Sequence, residues 1–151
     1  MSDITGRFIQ DGTIEEQDLA PALKFQKFTF SYSDFSDPGI EKTLTLLSIP
    51  SAIVEYIIIY STVEFLGGLN TTVTAEIGND VSTPNDLVPP GNIGPGFTPL
   101  PIQFYYFPAA GLGAGIYFAP RTLAITLRTD VSNDTLTQGS LDVYIKYSAL
   151  S

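Results

Sequence analysis

The sequence predicts an all-β fold, an antiparallel β-sandwich. Three observations carry this: apolar residues recur with a period of two from Phe25 onward, turn residues separate the runs, and no segment from residue 24 to the end has a helical period. Phe28, Phe30 and Tyr32 alternate with Lys27, Thr29 and Ser31, and Leu44 and Leu46 alternate with Thr43 and Thr45. Val73, Ala75 and Ile77 alternate with Thr72, Thr74 and Glu76. Leu123, Ile125 and Leu127 follow the same rule, as do Leu141, Val143, Ile145 and Tyr147. Each run turns one face to a core and the other outward, because successive side chains of a strand point to opposite sides. Ser36-Asp37-Pro38-Gly39, Leu66-Gly67-Gly68, Gly78-Asn79-Asp80 and Ser132-Asn133-Asp134 supply the turns. With shorter candidates at Ile102–Phe107 and Ile116–Ala119, the count reaches about eight strands, which fits a sandwich of the jelly-roll kind.

Residues 1–23 differ from the rest and read as an extended N-terminal arm, leaving 24–151 as the sandwich domain. The arm carries Asp3, Asp11, Glu15, Glu16 and Asp18 against Arg7 alone. Asp11-Gly12 is a turn, Thr13 with Glu16 caps one helical turn, and Pro21 ends it. Two readings stay open: a free polar tail, or an arm that orders against a neighbouring subunit.

Two segments break the simple alternation. Ile53–Phe65 is apolar on both sides: Ile53, Ile57, Ile59, Val63 and Phe65 share the run with Val54, Tyr56, Ile58 and Tyr60 on the opposite face. A strand apolar on both sides is covered on both sides, either within the chain or by another subunit. In the second case Val54, Tyr56, Ile58 and Tyr60 form a subunit interface, where Tyr buries area while keeping a polar handle. Thr83–Pro101 carries six prolines among its 19 positions and is predicted to be a Pro/Gly loop rather than helix or central strand. Its apolar residues Leu87, Val88, Ile93, Phe97 and Leu100 are expected to lie against a neighbour.

Composition narrows the function. A length of 151 residues suits one domain, and charged residues are 15% of the chain against about 25% in ordinary soluble domains. A surface so poor in charge points to contact with other polypeptides. The net charge of −9, with the seven bases scattered, excludes a phosphate-backbone binder. There is no Cys and no His, so disulfides, Cys/His zinc sites and a histidine base are excluded. No cofactor is expected. The opening Met1–Arg7 lacks a basic-then-apolar signal, and the apolar run at Ile53–Phe65 is too short to span a bilayer, so a soluble protein without secretory targeting or membrane contact is expected.

Catalysis is not expected. Glu55, Glu64 and Glu76 are candidates for a paired-carboxylate site, but strand geometry puts Glu55 and Glu64 on different faces. Asn79, Asp80, Asn85 and Asp86 offer hard oxygen ligands for calcium, though the same residues are ordinary turn formers. Phe104, Tyr105, Tyr106 and Phe107 suit sugar stacking or a core equally. The glycine-rich stretch Ala109–Gly115 lacks the strand-then-helix setting of a nucleotide loop.

Leu46–Val54 with its Pro50, then Val63-Glu64-Phe65-Leu66-Gly67-Gly68, then Thr72–Gly78 follow a recurring design. With the closing runs Leu123–Leu127 and Leu136–Tyr147, they resemble small virion structural proteins of tailed phages, among them head decoration or cement proteins. Ile9–Leu19 is similar to N-terminal attachment repeats of phage fibres. The resemblance implies a jelly-roll-like sandwich, a homotrimer seated on the major capsid protein, and Ile4, Phe8, Ile9, Ile14 and Leu19 of the arm are expected to anchor it to the shell. It implies a place on the head surface of a virion assembled in the host cytoplasm. The alternatives are a tail, baseplate or fibre component that binds a receptor or acts as adaptor, and a carbohydrate-binding module.

Overall fold

The computed structural model describes residues 26–79, 83–97, 101–106, 116–117 and 119–150, with side chains for all of these but 79, 83–86, 101–106 and 116. Nine strands run through them: β1 (Gln26–Ser31), β2 (Glu41–Ile49), β3 (Ala52–Leu66), β4 (Val73–Asn79), β5 (Thr83–Asn92), β6 (Pro101–Tyr106), β7 (Ile116–Tyr117), β8 (Arg121–Thr129) and β9 (Gln138–Ala149). One sheet has the order β1-β9-β3-β6 with β7 also on β3, and the other has β2-β8-β4-β5. All pairings are antiparallel.

The nesting of these pairs gives the topology. β1 pairs β9, β2 pairs β8, β3 pairs β6 and β4 pairs β5, so the chain is one long hairpin rolled into two sheets. This is the jelly-roll arrangement the strand count suggests. β7 takes no new place. It pairs Ala52 and Ile53 at the start of β3, on the edge where β6 pairs Tyr56 to Tyr60 further along.

The core follows from the alternation. Ile57 sits opposite Ile145 and Ile59 opposite Val143 in the first sheet, and Ile77 opposite Ile125 and Ala75 opposite Leu127 in the second. All eight side chains are fully buried. Each buried Ile or Leu contributes about 1.5–3 kcal/mol of transfer free energy. Phe35, on the single 3-10 turn Tyr32–Phe35 between β1 and β2, closes one end of the core, tilted against Phe30 at 5.6 Å and edge-on to Phe65 at 6.3 Å. The Asp34 carboxylate accepts the Ser31 N–H at 2.8 Å and fixes the start of that turn.

β3 does not keep one parity along its 15 residues. Val54 pairs Tyr147 but Tyr56 pairs Lys146, leaving Glu55 as an inserted residue. Ala52 and Val54 therefore face inward before this bulge, and Ile57, Ile59 and Ser61 after it. Val54, expected at a subunit interface, is instead 0% exposed in the core. Tyr56, Ile58 and Tyr60 remain on the outer face, half-buried.

The expected Pro/Gly loop is also corrected. Thr83–Asn92 is a strand, and its prolines are tolerated because β5 is the outermost strand of its sheet, paired with β4 alone. Register irregularities between Ala75 and Ile77 and between Ile77 and Asn79 accompany it. Leu87 (2%), Val88 (0%) and Ile93 (0%), expected to touch a neighbour, are buried members of the chain's own core. The Ile93 backbone bridges the sheets, its N–H donating to Val73 O and its carbonyl accepting Phe65 N–H, both at 2.9 Å. Phe97 is half-buried, and Leu100 lies outside the described residues.

Candidate assembly surfaces

The outer face of the β1-β9-β3-β6 sheet is built by three neighbouring strands in register. Tyr56 stands opposite Lys146, Ile58 opposite Tyr144 and Tyr60 opposite Asp142 on β9, and Lys27 and Thr29 of β1 continue the rows past Tyr144 and Asp142. On the other side of β3, the Cα positions of Tyr106 and Phe104 lie opposite Tyr56 and Ile58. A column of tyrosine and isoleucine thus runs down the middle of the sheet.

The charges on this face are consumed within it. Lys27 lies 3.9 Å from Asp142 and 5.7 Å from the centre of the Tyr144 ring, and Asp142 also accepts the Thr29 hydroxyl at 2.8 Å. Lys146 reaches Glu55 at 4.0 Å, and Glu55 accepts the Ser148 hydroxyl at 2.8 Å. Among the described residues two lysines of this face balance two carboxylates, on a chain of net charge −9. Two copies can meet here without the like-charge cost that the rest of the surface would impose.

Comparison with protein-family models, with curated proteins and with solved structures finds no match to this chain.

The opposite sheet has a different polar core. Glu76 on β4 is 1% exposed although it alternates with the inward-facing Ala75 and Ile77. Its carboxylate accepts Arg128 Nε at 2.6 Å, and Arg128 also binds Glu41 across β2 and β8. The Glu76 carboxylate, helped by Glu41, holds the Arg128 guanidinium above its ordinary pKa. Burying a carboxylate is far more costly without such a partner. This pairing takes Glu76 out of the paired-carboxylate scheme, and Glu64 accepts the Gly96 N–H at 3.0 Å on a separate loop. Among the described residues no group of three or more His, Cys, Asp or Glu is placed to hold a metal ion. Asp80, from the calcium candidates, lies outside the described residues, as do the side chains of Asn79, Asn85 and Asp86. The arm residues Ile4, Phe8, Ile9, Ile14 and Leu19 lie outside them too. No helix among the described residues is long and apolar enough to cross a membrane.

One end of the sandwich is closed by a hydrogen-bonded clamp of three turns, which sequence reasoning missed. Asn70, after β3, is 8% exposed; its amide donates to Gly67 O, Ser132 O and Thr135 Oγ1, and its oxygen accepts Val131 N–H and Ser132 N–H, all at 3.0 Å. Buried Asn133 accepts the Thr129 hydroxyl at 2.7 Å, and its N–H donates to Gly39 O at 2.9 Å. Asp130 accepts the Thr71 hydroxyl at 2.5 Å and the Thr71 and Thr72 N–H groups at 2.8 and 3.0 Å.

These donors, the Thr71 hydroxyl first, hold the Asp130 carboxyl down at about 2 from an ordinary 3.8. A lowered carboxylate pKa stabilises the fold above the unfolded value and is lost as pH falls through the folded one. Thermal melts of the wild type are therefore expected to lose an Asp130-dependent component between pH 3.8 and about 2. Asp130→Asn is expected to flatten that part of the profile. Parallel profiles for the two proteins would remove Asp130 as the cause.

Proposed function

We propose that the chain is a structural protein of a virus particle, a decoration or cement protein of a tailed-phage head, acting without catalysis. The observation that carries this reading is the neutral Tyr/Ile face of the first sheet on a chain otherwise poor in charge. Such a face favours contact with further copies, and a homotrimer is the assembly proposed, with Tyr56, Ile58 and Tyr60 at its contacts. The resemblance of the Leu46–Val54, Val63–Gly78 and Leu136–Tyr147 segments to phage virion proteins supports the same reading.

The partner is the major capsid protein on the outer head surface. Binding to the assembled lattice alone lowers the free energy of that state by RT ln(1 + [L]/Kd), about 2.7 kcal/mol per site at a hundredfold excess over Kd. The shell then resists disruption by mass action, with no chemistry needed. Quantitative mass spectrometry of intact particles is expected to find the chain in copy numbers comparable with the major shell protein. A handful of copies per particle would assign it to the tail or baseplate instead.

A further inference from the structure

We infer that the clamped end of the sandwich is the surface that docks on the shell, through Ile40, Leu69 and Val131, into an apolar recess bordered by basic side chains on another protein. This rests on the proposed assembly function and names the contact it uses. Leu69 is 81% exposed, Ile40 54% and Val131 46%, which makes them three of the five exposed large apolar residues of the described chain. Single exposed aliphatics are ordinary, but these come from three different turns brought together at one end. Ile40 O accepts Thr129 N–H at 2.9 Å, two residues before Val131, and Val131 N–H donates to the side chain of Asn70, next to Leu69.

The turns that carry them are rigid. Gly67 and Gly68 have φ of +149° and +60°, and a Cβ on Gly68 would overlap Thr135. Asn70 and Asp130 spend their polar groups on neighbouring turns, the Asn133 side chain binds Thr129 and Leu127 while its N–H reaches Gly39, and Ser132 binds Asp134. Leu69, Ile40 and Val131 are thus held outward on fixed turns before any partner arrives, which lowers the ordering cost of binding.

Charge selects the partner. Asp37, Glu41, Asp130 and Asp134 surround this end against Lys42 and Arg128, and Arg128 is also neutralised by Glu76. Two copies meeting here would oppose like charges, whereas a basic rim is attracted. The neutral sheet face and the acidic loop end thus suit different partners: the first another copy, the second a different protein.

The test measures co-sedimentation of the full chain with head shells assembled without it. The double variant Leu69→Ser/Val131→Ser is expected to keep its melting temperature and solution mass but to bind at least tenfold more weakly. Leu150→Ser, 38% exposed at the other end beside Ser51, is expected to bind as the unaltered chain does. Raising the salt concentration is expected to weaken binding of the unaltered chain. Equal binding by the double variant overturns this inference alone. No binding by the unaltered chain overturns the assembly reading and the inference together.

Discussion

Gly139→Ala is expected to cost the domain about 3–5 kcal/mol, the sum of overpacking and a strained backbone. Gly139 lies in β9 at φ +143°, and a Cβ added there comes within 2.8 Å of Phe65 Cδ2. The register explains the closeness. Val63 pairs Ser140 and Leu66 pairs Gln138, so Glu64 and Phe65 together oppose Gly139, and the fully buried Phe65 ring covers the glycine. Phe65 cannot retreat, because its ring also packs against Phe35 at 6.3 Å. Thermal or urea unfolding measures the loss. The double variant Gly139→Ala/Phe65→Leu is expected to lose less than the two single changes added together, since the smaller side chain relieves the overlap. Strict additivity would place the cost elsewhere.

Asn70→Ala is the second large effect, at about 2–3 kcal/mol. The change strands the N–H groups of Val131 and Ser132 in a site where the residue is 8% exposed, while the Gly67 carbonyl keeps the backbone N–H of position 70 and the Ser132 carbonyl keeps the Thr135 hydroxyl. Each stranded group costs about 1–3 kcal/mol where water does not reach it, and less where it does. Asn70→Asp is expected to be no better. It keeps an acceptor for the two N–H groups but sets a carboxylate oxygen against two carbonyls. Urea denaturation is expected to show a lower midpoint at unchanged slope, the sign of lost stability rather than of altered compactness. An Asn70→Asp variant as stable as the wild type would contradict the amide's role as donor.

Most of the sandwich is legible in the sequence because period-two patterning is a local signal. Leu123–Leu127 and Leu141–Ile145 face inward in alternation as expected, and the short candidates at Ile102 and Ile116 correspond to β6 and β7. What is not legible depends on the partner strand. Nothing in Ile53-Val54-Glu55-Tyr56 announces that Glu55 is an inserted residue, yet that bulge turns Val54 inward and leaves Tyr56, Ile58 and Tyr60 outward. Leu87 and Val88 escape a local reading because proline content suggests a loop, whereas an edge strand admits proline where its N–H is not needed. Glu76 stands in a polar row with Thr72 and Thr74, and its burial follows from Arg128, 52 residues away. The Asn70 clamp joins positions 61 to 65 residues apart, so each turn is visible in the sequence and their union is not.

The neutral outer face explains why a chain with 15% charged residues is proposed to assemble with itself before it meets a shell. Light scattering of the purified full chain tests this most directly. The expected mass is three times the 16.3 kDa of one chain, falling to a single chain for Tyr56→Ser/Ile58→Ser with the fold retained. A single-chain mass for the unaltered protein at every concentration would contradict it.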